Sequence, residues 1–180
     1  MKLVIGDVIQ ILMVIAPRNF RDEELLVPMR LFESKGWTVR IASKLKAGEQ
    51  AEGMLGAKVK IDINIADAKA SDYSAVIFVG GTGASIYFND PTAHGLAWHA
   101  YDSGRVVAAI CIAPSILANA RVLEGKKATA WPSERENVAR KSSEYTGKDV
   151  EVAGRVVTGK APPAAKKFAE AIVKLLETKT

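Results

Sequence analysis

The stretch 105-RVVAAICIAPSILANA-120 joins a dense apolar run to a segment of helical character, and the chain's one cysteine, Cys111, stands at the junction. The run 105-RVVAAI-110 reads as a buried strand, and 113-APSILANARVL-123 as a short helix that follows it directly. A strand passing straight into a helix is the repeating unit of a parallel sheet. Cys111 therefore stands where the chain leaves a strand. It is either a packed core group, cysteine being among the most buried residue types, or a nucleophile displayed on a turn.

The same alternation recurs along the chain. Residues 11-ILMVIA-16, 37-WTVRIAS-43 and 75-AVIFV-79 read as further strands, and 127-KATAW-131 as another. The segment 22-DEELLVPMRLFESKG-36 reads as a helix with acids in its first turn and Gly36 ending it; Pro28 is expected to loosen or bend it. The segment 91-PTAHGLAWHAYDSG-104 has proline at its start and glycine at its end, as helices prefer. A hairpin is expected over 150-VEVAGRVVTG-159, turning at Ala153-Gly154, and then a helix over 162-PPAAKKFAEAIVKLLETK-179 with Phe168, Ile172, Leu175 and Leu176 on one face. The pattern is α/β: a mostly parallel sheet with helices on both faces. One domain over residues 1–180 is expected, with 1–10 as a short extension before the first strand, since Asp7 and Gln10 interrupt what would otherwise resemble a signal sequence.

Composition narrows the function classes. The longest apolar runs fall far short of the ~20 residues of a membrane span. A net charge of +5 comes from Lys and Arg scattered among acids, with no aromatic-rich basic stripe, so neither a membrane nor a nucleic acid is expected as a partner. One cysteine cannot form an internal disulfide, and a reducing cytoplasm is the simplest setting.

Ligands of open sheets bind beyond the carboxyl ends of the strands. Three such exits carry informative residues: Glu23 and Glu24 after the first strand, 80-GGTGAS-85 after 75-AVIFV-79, and Cys111. Small residues, Ala109 and Ala113, flank the cysteine at two positions on either side, as a nucleophile elbow requires for its sharp turn. A helix starting behind the thiol is expected to lower its pKa below the reference of ~8.5. The glycine amides of 80-GGTG-83 suit a developing oxyanion, or plain turn chemistry; the loop lacks the ending of a P-loop. Of the two glutamates, one must point toward the sheet end, where burial would raise its pKa and let it hydrogen-bond a sulfur.

In combination, 24-ELLVP-28, the Gly-Gly loop after 75-AVIFV-79, the run AAIC with 121-RVLEGKKATAWP-132 behind it, and the closing 155-RVVTGKAPPAAKKFAEAIVKLL-176 resemble the ThiJ/PfpI family from about Ile11 to Leu176. The resemblance implies a flavodoxin-like three-layer sandwich and an intracellular peptidase, deglycase, glutathione-independent glyoxalase or oxidative-stress protein that assembles as a dimer or larger homo-oligomer. It also implies that Cys111 is the reactive thiol, Glu24 its carboxyl partner, Gly81 with the Cys111 amide the oxyanion-binding pair, and Gly80 the residue that permits the tight loop.

Several positions depart from the family's pattern. The peptidase branch places a histidine immediately after the cysteine, where this chain has Ile112; other members bring one from the strand end before a proline, where this chain has Trp131. The two histidines, His94 and His99, lie on the helix before the cysteine strand and, five residues apart, do not share a face, so no metal site is expected and no cofactor is implied. Val79 replaces the usual proline before Gly-Gly, and 160-KAPP-163 stands where arginine and glycine are common. With Ile112 and Trp131 beside the thiol, the expected pocket is apolar and poor in proton carriers. That suits a small aldehyde substrate, or an oxidant acting on the thiol, better than peptide hydrolysis.

Overall fold

The computed structural model describes residues 8–178; most of the expected N-terminal extension, residues 1–7, lies outside them. Seven strands form the main sheet: β1 (Gln10–Val14), β3 (Thr38–Ser43), β6 (Ile63–Asn64), β7 (Ala75–Phe78), β8 (Val106–Ile110), β11 (Val150–Ala153) and β12 (Val156–Gly159). Their spatial order is β11-β12-β8-β7-β1-β3-β6. Every pairing is parallel except β11 with β12, the hairpin expected from the sequence.

The continuous apolar runs are explained by burial on both sides. Ile11, Met13 and Ile15 face one core cluster, Leu12, Val14 and Ala16 the other, and residues 106–110 of β8 alternate in the same way. On one face the sheet is covered by α1 (Asp22–Ser34) and α5 (Ala165–Glu177), which insert Leu25, Phe32, Phe168, Ile172 and Leu176. The other face is covered by α2 (Pro91–Asp102), α3 (Pro114–Asn119) and α4 (Arg135–Lys141), through Leu96, Ile116, Leu117 and Val138. The result is a flavodoxin-like α/β sandwich with helices on both faces. No helix among the described residues is long and apolar enough to cross a membrane.

Two regions had no expected element and carry structure. Residues 44–74 include β4 (Gln50–Gly53) and β5 (Lys58–Lys60), an antiparallel pair that joins β2 (Arg18–Phe20) in a small separate sheet. The second is the stretch after β9 (Lys127–Ala128), which holds α4 and then β10 (Glu144–Tyr145) paired to β9. Pro28 does not break α1, which is continuous over 13 residues; the proline is buried and leaves the Glu24 carbonyl without its helical donor. Tyr87 is buried and its hydroxyl donates to the Ile15 carbonyl at 2.8 Å, whereas Trp98 is 41% exposed.

The chain order reverses between β1 and β7. From β1 it passes through α1 to β3 on one side, then crosses back to β7 and β8 on the other. A crevice opens at such a reversal, beyond the carboxyl ends of the strands.

Candidate active site

Three chain segments meet at that crevice. Cys111 follows β8 directly with φ 65°, one of three non-glycine residues at positive φ among the described residues. This left-handed conformation costs an L-residue ~1–2 kcal/mol, and the surrounding structure must hold it. Two bonds do so: the Cys111 N–H donates to the Gly159 carbonyl of β12 at 3.0 Å, and the Ala113 N–H to the Ile110 carbonyl at 3.1 Å. The side chain, 8% exposed, packs on the cluster under α1 and α5 and lines a cavity of about 730 Å³.

The glycine loop after β7 fits between the thiol and α1. A Cβ on Gly80 would lie 2.6 Å from Cys111 Cβ and 2.7 Å from Glu24 Oε1, so no other residue fits without displacing both side chains. Gly81 adopts φ 96° and abuts the backbone of Asn19, Phe20 and Arg21. The Arg21 N–H donates to the Gly80 carbonyl at 2.9 Å and so ties the start of α1 to the loop.

The Gly81 and Ile112 backbone amides favour the anionic form of the sulfur. The Cys111 N–H, expected as the second member of the oxyanion pair, donates to the Gly159 carbonyl. This bond arises because β12 runs beside β8 and takes the last donor of its ladder.

Of the two acids, Glu24 is the one that points inward. It is fully buried, with neither carboxyl oxygen meeting a well-aligned hydrogen-bond partner, and the polar group it faces is the Cys111 thiol. Burial pushes its pKa up to about 8, against the opposing effects of the thiol and the Arg21 charge. Glu23 lines the cavity but is held by Arg21 through bonds of 2.7 and 3.0 Å, which keep its carboxyl below the usual range.

The thiol does not show the lowered pKa expected from a helix behind it. Burial, then the negative charge of Glu24, push Cys111 up to about 12, while the Gly81 and Ile112 amides pull the other way. The helix is a weak counterweight because α3 has six residues and begins at Pro114, three positions beyond the sulfur. Glu24 itself changes the balance: when it carries a proton its charge no longer opposes thiolate formation.

Trp131 and Ile112 line the cavity as expected, and the Trp131 N–H donates to the Cys111 carbonyl at 2.8 Å. Pro162 and Pro163 of the departing 160-KAPP-163 segment complete an apolar wall. His94 and His99 are elsewhere; His94 Nε2 lies 2.7 Å from the Phe88 carbonyl, and His99 is exposed. Among the described residues no group of three or more His, Cys, Asp or Glu side chains is placed to hold a metal.

Two contributors escaped the sequence. Asp22, buried at the start of α1, accepts from the Leu55 and Ala57 amides at 2.8 Å each and so anchors the β4–β5 turn, whose Met54 lines the cavity. In the sequence Asp22 is indistinguishable from an ordinary first-turn acid, and nothing local signals that loop amides 33 and 35 residues away will meet it.

Known proteins share both sequence and fold. An uncharacterised protein of Methanocaldococcus jannaschii is 40% identical over 93% of this chain and 82% of its own length. Deglycase PfpI of Pyrococcus furiosus is 28% identical over 91% of this chain and 97% of its own. The crystal structure of a ThiJ/PfpI domain protein from Brachyspira murdochii superimposes with a TM-score of 0.92 at 32% identity, covering 97% of this chain and all of that one. Residues 9–175 match the DJ-1/PfpI family, and the chain belongs to it.

Proposed function

We propose that this protein is a cysteine-dependent enzyme acting on small reactive carbonyls, in the manner of a glyoxalase or deglycase. The observation that carries the reading is the buried Glu24 carboxyl facing the Cys111 thiol beside a large cavity. Relatives named as deglycases, such as that of Pyrococcus furiosus, support the same class.

With a Glu24 pKa of about 8, roughly a tenth of the carboxyl is ionised at pH 7. The ionised form takes the thiol proton, and the thiolate so formed is held by the Gly81 and Ile112 amides beside a now neutral acid. The sulfur bonds to the aldehyde carbon of a 2-oxoaldehyde, and the carbonyl oxygen, held by the same amides, receives the proton. Glu24, ionised again, removes the proton of that carbon and returns it to the neighbouring keto carbon, while the hydroxyl proton of the adduct passes to the keto oxygen. The aldehyde carbon is thereby oxidised to a thioester and the ketone reduced to an alcohol. Water cleaves the carbon–sulfur bond, releases a 2-hydroxy acid and restores the thiol. Methylglyoxal plus one water gives lactate, with no external oxidant or reductant.

Lactate formation from methylglyoxal by the purified protein tests this. Its abolition in Cys111→Ala and Glu24→Gln is expected; an unaltered rate in either variant refutes the mechanism.

A second reading, a redox-sensing or stress-protective protein, draws on the same pair, because a protonated Glu24 can hydrogen-bond an oxidised sulfur. It predicts a mass gain of one or two oxygens on Cys111 under peroxide, with no aldehyde turnover. Peptidase activity is disfavoured, since no histidine lines the cavity; intact casein after prolonged incubation is the expected result. A cytoplasmic location would keep the free thiol reduced. Assembly as a dimer or larger homo-oligomer is the family's habit, which light scattering would establish for this chain.

A further inference from the structure

Two large apolar side chains at the Cys111 cavity are left in water. Met54 is 40% exposed and Trp131 43%, and both line the cavity together with Val27, Ile112 and Pro162. Neither is on a free loop. The Met54 N–H donates to the Phe20 carbonyl at 2.9 Å, and the next turn is anchored on Asp22. Trp131 is held by its own N–H on Cys111 and by the Glu134 N–H donating to its carbonyl at 2.9 Å. The Glu134 carboxylate in turn accepts from the hydroxyl of fully buried Ser115 at 2.7 Å.

With the backbone at both positions held in this way, Met54 and Trp131 present apolar surface at the cavity, and covering it on binding is favourable. Arg21 and Glu23, which share the lining, are paired with each other, and Lys166, the remaining charged lining residue, is exposed. A cavity of about 730 Å³ with such walls is far larger than a three-carbon aldehyde needs.

We infer that the site prefers a 2-oxoaldehyde bearing a bulky apolar arm, aryl or branched alkyl, with the arm lying between Met54 and Trp131. This rests on the reading of Cys111 and Glu24 as a carbonyl-processing pair. The chemistry is that given above with the arm in place of methyl, so that phenylglyoxal plus water gives mandelate.

The test compares kcat/KM for phenylglyoxal and methylglyoxal in the wild type, Trp131→Ala and Met54→Ser. Covering even a methylene's worth of apolar surface in a hydrophobic pocket changes discrimination by about tenfold or more. The wild type is expected to favour phenylglyoxal at least tenfold, mainly through KM, and each variant to reduce that ratio severalfold. A merely structural role would depress both substrates equally. Equal use of the two aldehydes, or a ratio unmoved by either substitution, overturns the inference while leaving the carbonyl-processing reading intact. If neither aldehyde is consumed, that reading fails, and calorimetric binding of mandelate against lactate decides the remainder. A mandelate preference lost in Trp131→Ala upholds an apolar-arm site; no preference overturns it.

Discussion

The carboxyl of Glu24 and the thiol of Cys111 face each other across Gly80, whose missing Cβ is what lets them meet: a methyl there would sit 2.7 Å from the one and 2.6 Å from the side chain of the other. Both groups are pushed toward their protonated forms by burial, and the ionised acid raises the thiol further. The titrations of the two groups are therefore coupled, and each half is best probed by changing the other.

Glu24→Gln removes the charge that opposes thiolate formation. The apparent pKa of Cys111, read from the pH dependence of iodoacetamide alkylation, is expected to fall by about one unit or more on this substitution. Carbonyl turnover should fall at least ~100-fold in the same variant, because the proton carrier is gone. A Glu24→Gln thiol no more reactive than wild type above pH 8 would show that the acid's charge does not act on the sulfur.

The acid also makes stability depend on pH. Its folded-state pKa of about 8 is above the ordinary 4.5, so its contribution is fully present below pH 4.5 and is lost as pH rises through 8. Over that window the loss is on the order of 5 kcal/mol. Comparison of wild type and Glu24→Gln by denaturant unfolding at pH 5 and pH 8 should show the wild type losing more stability on going to pH 8, with the variant flatter. Parallel curves would mean that Glu24 is solvated in the folded state.

Gly80→Ala forces a methyl into the space between the two side chains. Overpacking of this kind costs about 1–3 kcal/mol. A lowered denaturant midpoint is expected, together with loss of turnover, because separating thiol and acid by even an ångström removes the proton transfer. Full activity in this variant would show that the two groups work apart.

Asp22→Ala leaves the Leu55 and Ala57 amides without their acceptor. A destabilisation of roughly 1–3 kcal/mol is expected, with faster hydrogen exchange at those two amides and little change at β8. Unchanged exchange would show that the β4–β5 turn holds itself.

What was legible in the sequence follows from local physics. Strands buried on both faces must be continuously apolar, and β1, β7 and β8 are; a strand that meets a helix across small residues must turn sharply, and Cys111 does. The hairpin at Gly154 and the amphipathic α5 are likewise set by neighbours in the chain. Residues 44–74 gave no such signal, because β4 and β5 are short and half-exposed, and β4 pairs with β2 more than 30 residues earlier.

The protonation states belong entirely to the tertiary structure. Residue type and place in the first helical turn do not distinguish Glu24 from Glu23, and only the motif 24-ELLVP-28 marks it; what separates their protonation is that one is sealed beneath the sheet end and the other pairs with Arg21. The same holds for the amides around the sulfur, since the donor expected from Cys111 is taken by Gly159, 48 residues on. Solvent exclusion and the choice of hydrogen-bond partner are set by what packs against a group from elsewhere in the chain. The order of residues therefore determined where the thiol stands, and the packing of distant segments decided what surrounds it.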